Sequence, residues 1–282
     1  MIGTALDFPI LREEFDEGPL VYLDSAATSQ KPAEVLDAMD RAYRTRHASV
    51  HRGVYPLGAR STEDFEGARE IVARWIGAST KEVVFTGNAS GAINLVSHTL
   101  LRPNDRVLLT EMEHHSNIVP WQLAQAELQY VPVDEQGLLD LDALDRLLAT
   151  HRPRIVGVTH VSNVLGTINP IAEIVQRAHA AGALVLVDGA QAAPHMRIDM
   201  GELGADFYAF TAHKMYGPTG IGVLYGRREL LEELPPFIGG GHMISRVDWQ
   251  ESRWNELPWK FEAGTSPIVE AVSYTHLTLP TN

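Results

Sequence analysis

Cysteine is absent from this 282-residue chain. That excludes disulfides and any thiolate-ligated metal site, although by itself it says little about redox compartment. Lysine is scarce: Lys31, Lys81, Lys214 and Lys260 are the only ones, so nearly all the positive charge is arginine. Positive charge of either kind is also in deficit. The 23 Lys and Arg face 36 Asp and Glu, giving a net charge of −13, which repels nucleic-acid phosphates and anionic membrane surfaces where no basic patch intervenes, and none is visible. No apolar run approaches the roughly 18 residues of a membrane helix. The N-terminus, MIGTALDFPILREEFDE, is acidic and lacks the basic start and apolar core of a signal peptide. The expectation is a cytoplasmic protein with no nucleic-acid partner, no membrane partner and no metal.

What is present is ordinary globular material, 45% hydrophobic and 21% charged with 23 Gly and 16 Pro, enough for about two domains or one large α/β domain. Short β-branched runs recur at 82–86, 106–110, 128–133, 154–159, 183–188, 207–211 and 220–226. Between them, segments near 61–77, 90–101, 118–127, 140–150 and 170–181 carry apolar residues at helical spacing. This rhythm predicts a three-layer α/β fold with a mainly parallel sheet, its nearly continuous apolar strands buried on both faces. The alternation is missing from the first twenty or so residues and after about 235, which reads as a small second domain begun but not completed. The expected divisions are 1–20 as its N-terminal segment, 21–235 as the large domain and 236–272 as the start of a C-terminal part.

Open sheets of this kind bind ligands beyond the carboxyl ends of their strands, and there the polar clusters fall: EMEHHSN, HVSN, DGAQ and TAHK follow four of the predicted strands. Lys214 ends a strand and runs into MYGPTGIG, whose small residues allow a ligand close to the backbone, so it is a Schiff-base candidate. Taken alone, it reads more readily as a surface lysine at a strand–loop junction, and its neighbours change that. Asp188 ends the most apolar strand, where a carboxylate needs a cation or strong hydrogen bonds; a protonated pyridine nitrogen would serve, and so would a turn-capping role. The string TGNASGAINL places a strand end, small residues and a helix start together, offering Ser90 and the Ala89 amide to a phosphate, or simply an N-cap. Thr211 and His213 could approach the same phosphate from the opposite side. His114 could stack on a ring and move protons.

In their order and spacing, HVSNVLGTINP, VDGAQAAPH, TAHKMYGPTGIG, EMEHHSNIVPW, VHRGVY and FEAGT closely resemble cysteine desulfurases of the SUF type, within the class-V aminotransferase-like branch of fold-type I pyridoxal 5'-phosphate (PLP) enzymes. The resemblance runs from about Leu23 to Val272. It implies that Lys214 is the lysine bound covalently to the cofactor, that Asp188 partners the pyridine nitrogen, and that Gln191 and Asn163 lie near the ring hydroxyl. It further implies that His114 stacks on the ring as acid/base, and that Ala89, Ser90, Thr211 and His213 form the phosphate cup, with Ser90 replacing a commoner threonine. Thr265 matches a residue that the neighbouring subunit contributes to the phosphate site, so a homodimer is implied. The implied reaction converts L-cysteine to L-alanine with a protein-bound persulfide, handed to a sulfur-acceptor protein of the SUF system for iron–sulfur cluster assembly; L-selenocysteine is a further possible substrate. Sibling enzymes such as a selenocysteine lyase or a kynureninase-like hydrolase share the Lys, Asp and cup.

The family pattern continues for more than a hundred residues past this chain, through a nucleophilic cysteine and an arginine for the substrate carboxylate. The expectation is therefore a C-terminally truncated chain, with a non-catalytic PLP-binding fragment as the alternative reading because the catalytic Cys region is absent. Residues 273–282, SYTHLTLPTN, depart from the pattern and read as a non-native tail.

Overall fold

The computed structural model describes residues 7–16 and 18–275. Its centre is a seven-stranded sheet of order β3-β9-β8-β7-β6-β4-β5. The strands are β3 (Val83–Thr86), β4 (Arg106–Thr110), β5 (Glu127–Val131), β6 (Ile155–Thr159), β7 (Leu184–Asp188), β8 (Phe207–Thr211) and β9 (Gly222–Gly226). All seven coincide with the β-branched runs, and β9 is the one antiparallel member, between β3 and β8. Outside the sheet lie two small hairpins, β1 (Glu14–Phe15) with β2 (Gly18–Pro19), and β10 (Ile244–Val247) with β11 (Ser252–Trp254).

Strand residues alternate between two cores, as the period of two requires. Val83, Phe85, Val185, Val187, Tyr208, Phe210, Val223 and Tyr225 join one cluster, while Val84, Leu184, Leu186, Phe207, Ala209 and Leu224 join the other. Helices α2 (Pro56–Trp75), α5 (Leu141–His151) and α6 (Ile171–Ala180) cover the first face, and α3 (Ala89–Leu100) covers the second. These are the three layers the sequence predicts.

Two elements differ from the reading. The helix expected over 118–127 is only α4 (Val119–Leu123), because Gln125 turns left-handed at φ 58 and the chain enters β5 at once. Helix α1 (Ala33–Thr45), not anticipated, buries Val35, Ala38 and Ala42; it starts after Pro32 with no side-chain cap, so the usual start signal is missing. The remaining helices are α7 (Met200–Leu203), α8 (Arg228–Glu233) and α9 (Ile268–Val272).

Past residue 235 the chain returns across the large domain. Arg69 of α2 is 1% exposed and donates to both Glu262 carboxylate oxygens at 2.6 and 2.9 Å, while Glu262 also accepts from Phe85 N. Lys260, 7% exposed, donates to the carbonyls of Leu231, Glu232 and Leu234 at the C-terminus of α8, where a cation suits the helix dipole. Ser273–Thr275 forms one more turn, in which Tyr274 is fully buried and stacks on Phe85 at 6.1 Å. Residues 276–282 of the expected tail lie outside the described residues, as do residues 1–6. No helix among the described residues is long and apolar enough to cross a membrane.

Candidate active site

The strand order places β6 between β4 and β7, so the chain reverses its direction of sheet growth at β4, and the site opens there. Strands β4 and β6 pair only at Val107↔Ile155 and Leu108↔Val156, whereas β4 and β5 pair along five residues. The crevice left where β4 and β6 diverge is closed by Glu113. Its Oε1 accepts from Thr159 N at 2.9 Å and the Thr110 hydroxyl at 2.5 Å, and its Oε2 accepts from Asn117 Nδ2 at 2.7 Å. Asn117 in turn accepts from the buried Trp121 indole at 3.0 Å. Burial pushes the Glu113 carboxyl up to about 8 against the pull of those three donors.

A cavity of about 490 Å³ at the strand ends is lined by Ala89, Ser90, His114, Asn163, Asp188, Gln191, Thr211, His213 and Lys214. Nine of the ten residues singled out from the sequence thus meet in one place. Thr265 does not; it lines two other cavities, one of about 130 Å³ with Arg52 and His242 and one of about 440 Å³ with Gly87 and Gly91.

Asp188 is 4% exposed and, among the described residues, its carboxylate accepts one hydrogen bond, from Ala190 N at 3.0 Å. Burial raises its pKa, opposed by that amide and by the Lys214 and His114 charges. The chain turns at Gly189, where an added Cβ would sit 2.0 Å from the Tyr208 ring, so no other residue fits after this aspartate. Lys214 closes the short turn Ala212–Lys214 after β8; burial lowers its pKa, with Asp188 pulling the other way. A buried acidic group short of donors and a partly desolvated amine face the same space.

The cup forms at the N-terminus of α3. Asn88 caps the helix by accepting from Gly91 N at 2.8 Å, leaving the first amides directed at the cavity. Strand β9 presses against this turn: a Cβ on Gly222 would lie 2.4 Å from the Asn88 carbonyl carbon. The Ser90 hydroxyl lies 2.6 Å from that of Ser116. Across the cavity, Thr211 donates to Ile221 O at 3.3 Å, and His213 Nδ1 lies 3.2 Å from the Thr28 hydroxyl. Helix amides, hydroxyls and an imidazole, gathered in one cavity with a buried carboxylate and an amine, fit a phosphorylated pyridine aldehyde in charge and donor pattern.

His114 caps the turn His115–Asn117, its Nδ1 accepting from Ser116 N at 3.1 Å. A ring nitrogen that accepts carries no proton, so the neutral ring holds its proton on Nε2. Burial lowers the His114 pKa, Asp188 opposes this, and Lys214 and His115 reinforce it.

Reading the sequence missed the segment that roofs the cavity. Asp24, Ala26 and Ala27 line it, and Gln191 Nε2 donates to Ala26 O at 2.7 Å. Ser29 fastens this segment to the lysine turn, its amide and hydroxyl donating to His213 O at 2.9 and 3.0 Å while its Oγ accepts from Tyr216 N at 2.7 Å. Lys31 donates to Ser29 O and Thr28 Oγ1, and burial lowers its pKa. The small polar run AATS was the only available signal. Ser116 and Glu113 were also passed over, although both sit within EMEHHSN.

Residues 21–278 match the class-V aminotransferase family. A probable cysteine desulfurase of Halalkalibacterium halodurans is 51% identical over 94% of this chain and 67% of its own length. A cysteine desulfurase of Dickeya dadantii is 50% identical over 94% and 66%, respectively. The apo structure of the cysteine desulfurase of Thermococcus onnurineus superposes with a TM-score of 0.86 at 40% identity, covering 90% of this chain and 65% of that one. An Escherichia coli cysteine desulfurase superposes at 0.85, also at 40% identity, over 96% and 68%. The chain spans about two thirds of the length of these relatives. Family match, identity and fold agree with the seven-stranded sheet, and the chain belongs to the class-V aminotransferase family of PLP-dependent proteins, among its cysteine desulfurases.

Proposed function

We propose that this chain holds PLP in the cavity at the strand ends and activates the Cα–H bond of L-cysteine, in the overall conversion of L-cysteine to L-alanine with sulfur passing to a thiol. The single observation that carries this is the convergence of Lys214, Asp188 and the α3 N-terminus on one cavity. When bound, PLP supplies an electron sink beside the substrate Cα. Asp188 would hold the protonated pyridine nitrogen, and its burial makes that cation its natural partner. The amides at Ala89 and Ser90, with Thr211 and His213, would hold the phosphate; Asn163 and Gln191 would flank the ring hydroxyl. Lys214, whose amine pKa burial lowers against the pull of Asp188, would take and return the Cα proton. His114, whose Nδ1 accepts from the Ser116 amide, would present its Nε2–H as a donor to the ring or the substrate.

The finer reading follows the resemblance. Thr265, exposed and away from its own chain's cavity, would complete the phosphate site of a second copy in a homodimer. The sulfur acceptor would be a protein of the SUF iron–sulfur assembly system in the cytoplasm, with L-selenocysteine as a second substrate. The experiment loads the chain with PLP in D2O and follows loss of the Cα proton of L-cysteine by NMR, with L-kynurenine as comparison. Exchange on cysteine that disappears in Lys214→Ala supports the proposal. Exchange or cleavage of kynurenine alone overturns it in favour of a kynureninase-like sibling.

A further inference from the structure

Ser116 is hydrogen-bonded to two parts of the site, and among the described residues no other side-chain hydrogen bond joins Ser90 to the His114 turn. Its hydroxyl lies 2.6 Å from the Ser90 hydroxyl, 26 residues away in the cup, and 3.1 Å from His114 Nδ1, while its backbone amide donates to that same nitrogen at 3.1 Å. We propose that Ser116 is a positioning residue that couples anion binding at Ser90 to the proton affinity of the His114 imidazole.

The coupling follows from counting protons. Two hydroxyls at 2.6 Å need one proton between them, since two bare lone pairs at that distance repel. With no anion in the cup, Ser90 can supply that proton, and the Ser116 hydroxyl is then free to donate to Nδ1. Nδ1 thus gains a second donor beside the Ser116 amide, which disfavours a proton on the ring. An anion accepting from the Ser90 hydroxyl withdraws Ser90 as donor, so Ser116 must turn its proton to Ser90 Oγ. Nδ1 loses a donor, and His114 becomes more basic. By linkage, a protonated His114 favours the anion in return. The other charged and titratable groups facing His114 are Asp188 at the end of β7, Lys214 after β8, and His115 and Glu113 on its own segment. None of them is bonded to Ser90, so none supplies this route.

The inference rests on the cup assigned above but not on catalysis or on covalent cofactor binding. The test therefore uses the full chain without PLP, with inorganic phosphate as probe, and follows the His114 ring by 15N-edited NMR across pH. Phosphate is expected to raise the wild-type midpoint and to move the Nδ1 resonance. Ser116→Ala removes the hydroxyl but keeps the amide. Its midpoint without phosphate should already lie toward the phosphate-bound value, and the phosphate-induced shift should shrink, leaving only the direct attraction of the anion. Ser116→Thr retains the hydroxyl and should restore the full shift; it also guards against a misfolded alanine variant. An unchanged phosphate response in Ser116→Ala, a wild-type ring that ignores phosphate, or a threonine variant behaving like alanine would each overturn the coupling. Failure of PLP loading in a separate absorbance titration would instead count against the proposed function and leave this result intact.

Discussion

Asp188 and Lys214 end neighbouring strand segments, and their separable jobs give separable mutants. Lys214→Ala should abolish the visible absorbance acquired with PLP while phosphate contacts still retain some cofactor, read by absorbance and by retention on desalting. Asp188→Ala should keep the absorbance but slow Cα proton exchange by about 10²–10³-fold, the usual scale for losing one preorganised electrostatic partner. Unchanged exchange in Asp188→Ala would remove it from the mechanism. A different single-residue prediction concerns Tyr274, fully buried with a hydroxyl that finds no partner among the described residues. Leaving such a group unsatisfied costs about 1–3 kcal/mol, so Tyr274→Phe, which keeps the stacking on Phe85, should raise the melting temperature; a lower one would refute this. At this scale the sequence was informative where chemistry follows from residue type and place, a lysine or an aspartate at a strand end. It was silent for Ser116 and Ser29, whose roles exist only through contacts with Ser90 and His213, far away along the chain.

Among the elements, strands were the most legible, because a strand buried on both faces needs a nearly unbroken apolar run and little else imitates that in β6, β7 and β8. Helix α1 was missed for want of a capping signal, and α4 was drawn too long because its apolar spacing continues past the left-handed Gln125. The divergence of β4 from β6 has no local signature at all, although it creates the site. Glu113 bridges the diverging strand ends and ties both to the His114 turn, and it makes each of these contacts as an acceptor. Glu113→Gln turns an amide N–H toward a donor on one side and should cost about 1–3 kcal/mol in chemical denaturation. The pH dependence adds a sign. A carboxyl raised from 4.5 to about 8 in the folded state binds more protons folded than unfolded between those values, so this group lowers wild-type stability as pH rises from about 4.5 to 8. Glu113→Gln should lack that component of the slope; an unaltered profile would show that Glu113 does not titrate in the window.

On the scale of the whole molecule, the residues after 235 share both cores, through Ile268, Ala271 and Tyr274 in one and Leu257 and Phe261 in the other, and are tied down further by Arg69–Glu262, yet the β10–β11 hairpin leaves apolar surface open. Trp249 is fully exposed, with Val247 and Trp254 on the same hairpin at 61% and 49%. Nothing in the composition distinguishes these tryptophans from core residues, since exposure depends on what the chain packs against. On the proposed reading the cavity gathers the groups that would bind the cofactor and activate Cα, but sulfur transfer needs a nucleophile, and the chain contains no cysteine. No other side chain offers comparable sulfur nucleophilicity near neutral pH. A thiolate from a second substrate molecule must arrive from solution, without the effective molarity of up to about 10⁸ M that a positioned group enjoys. The PLP-loaded chain should therefore exchange the Cα proton of L-cysteine yet release alanine far more slowly than the ~1–10³ s⁻¹ of typical enzymes. The measurement is alanine by NMR with L-cysteine as the only thiol, then with dithiothreitol added, in wild type and Lys214→Ala. Alanine release at enzymatic rates, dependent on Lys214 and without added thiol, would mean that the site delivers sulfur by a route requiring no cysteine on this chain.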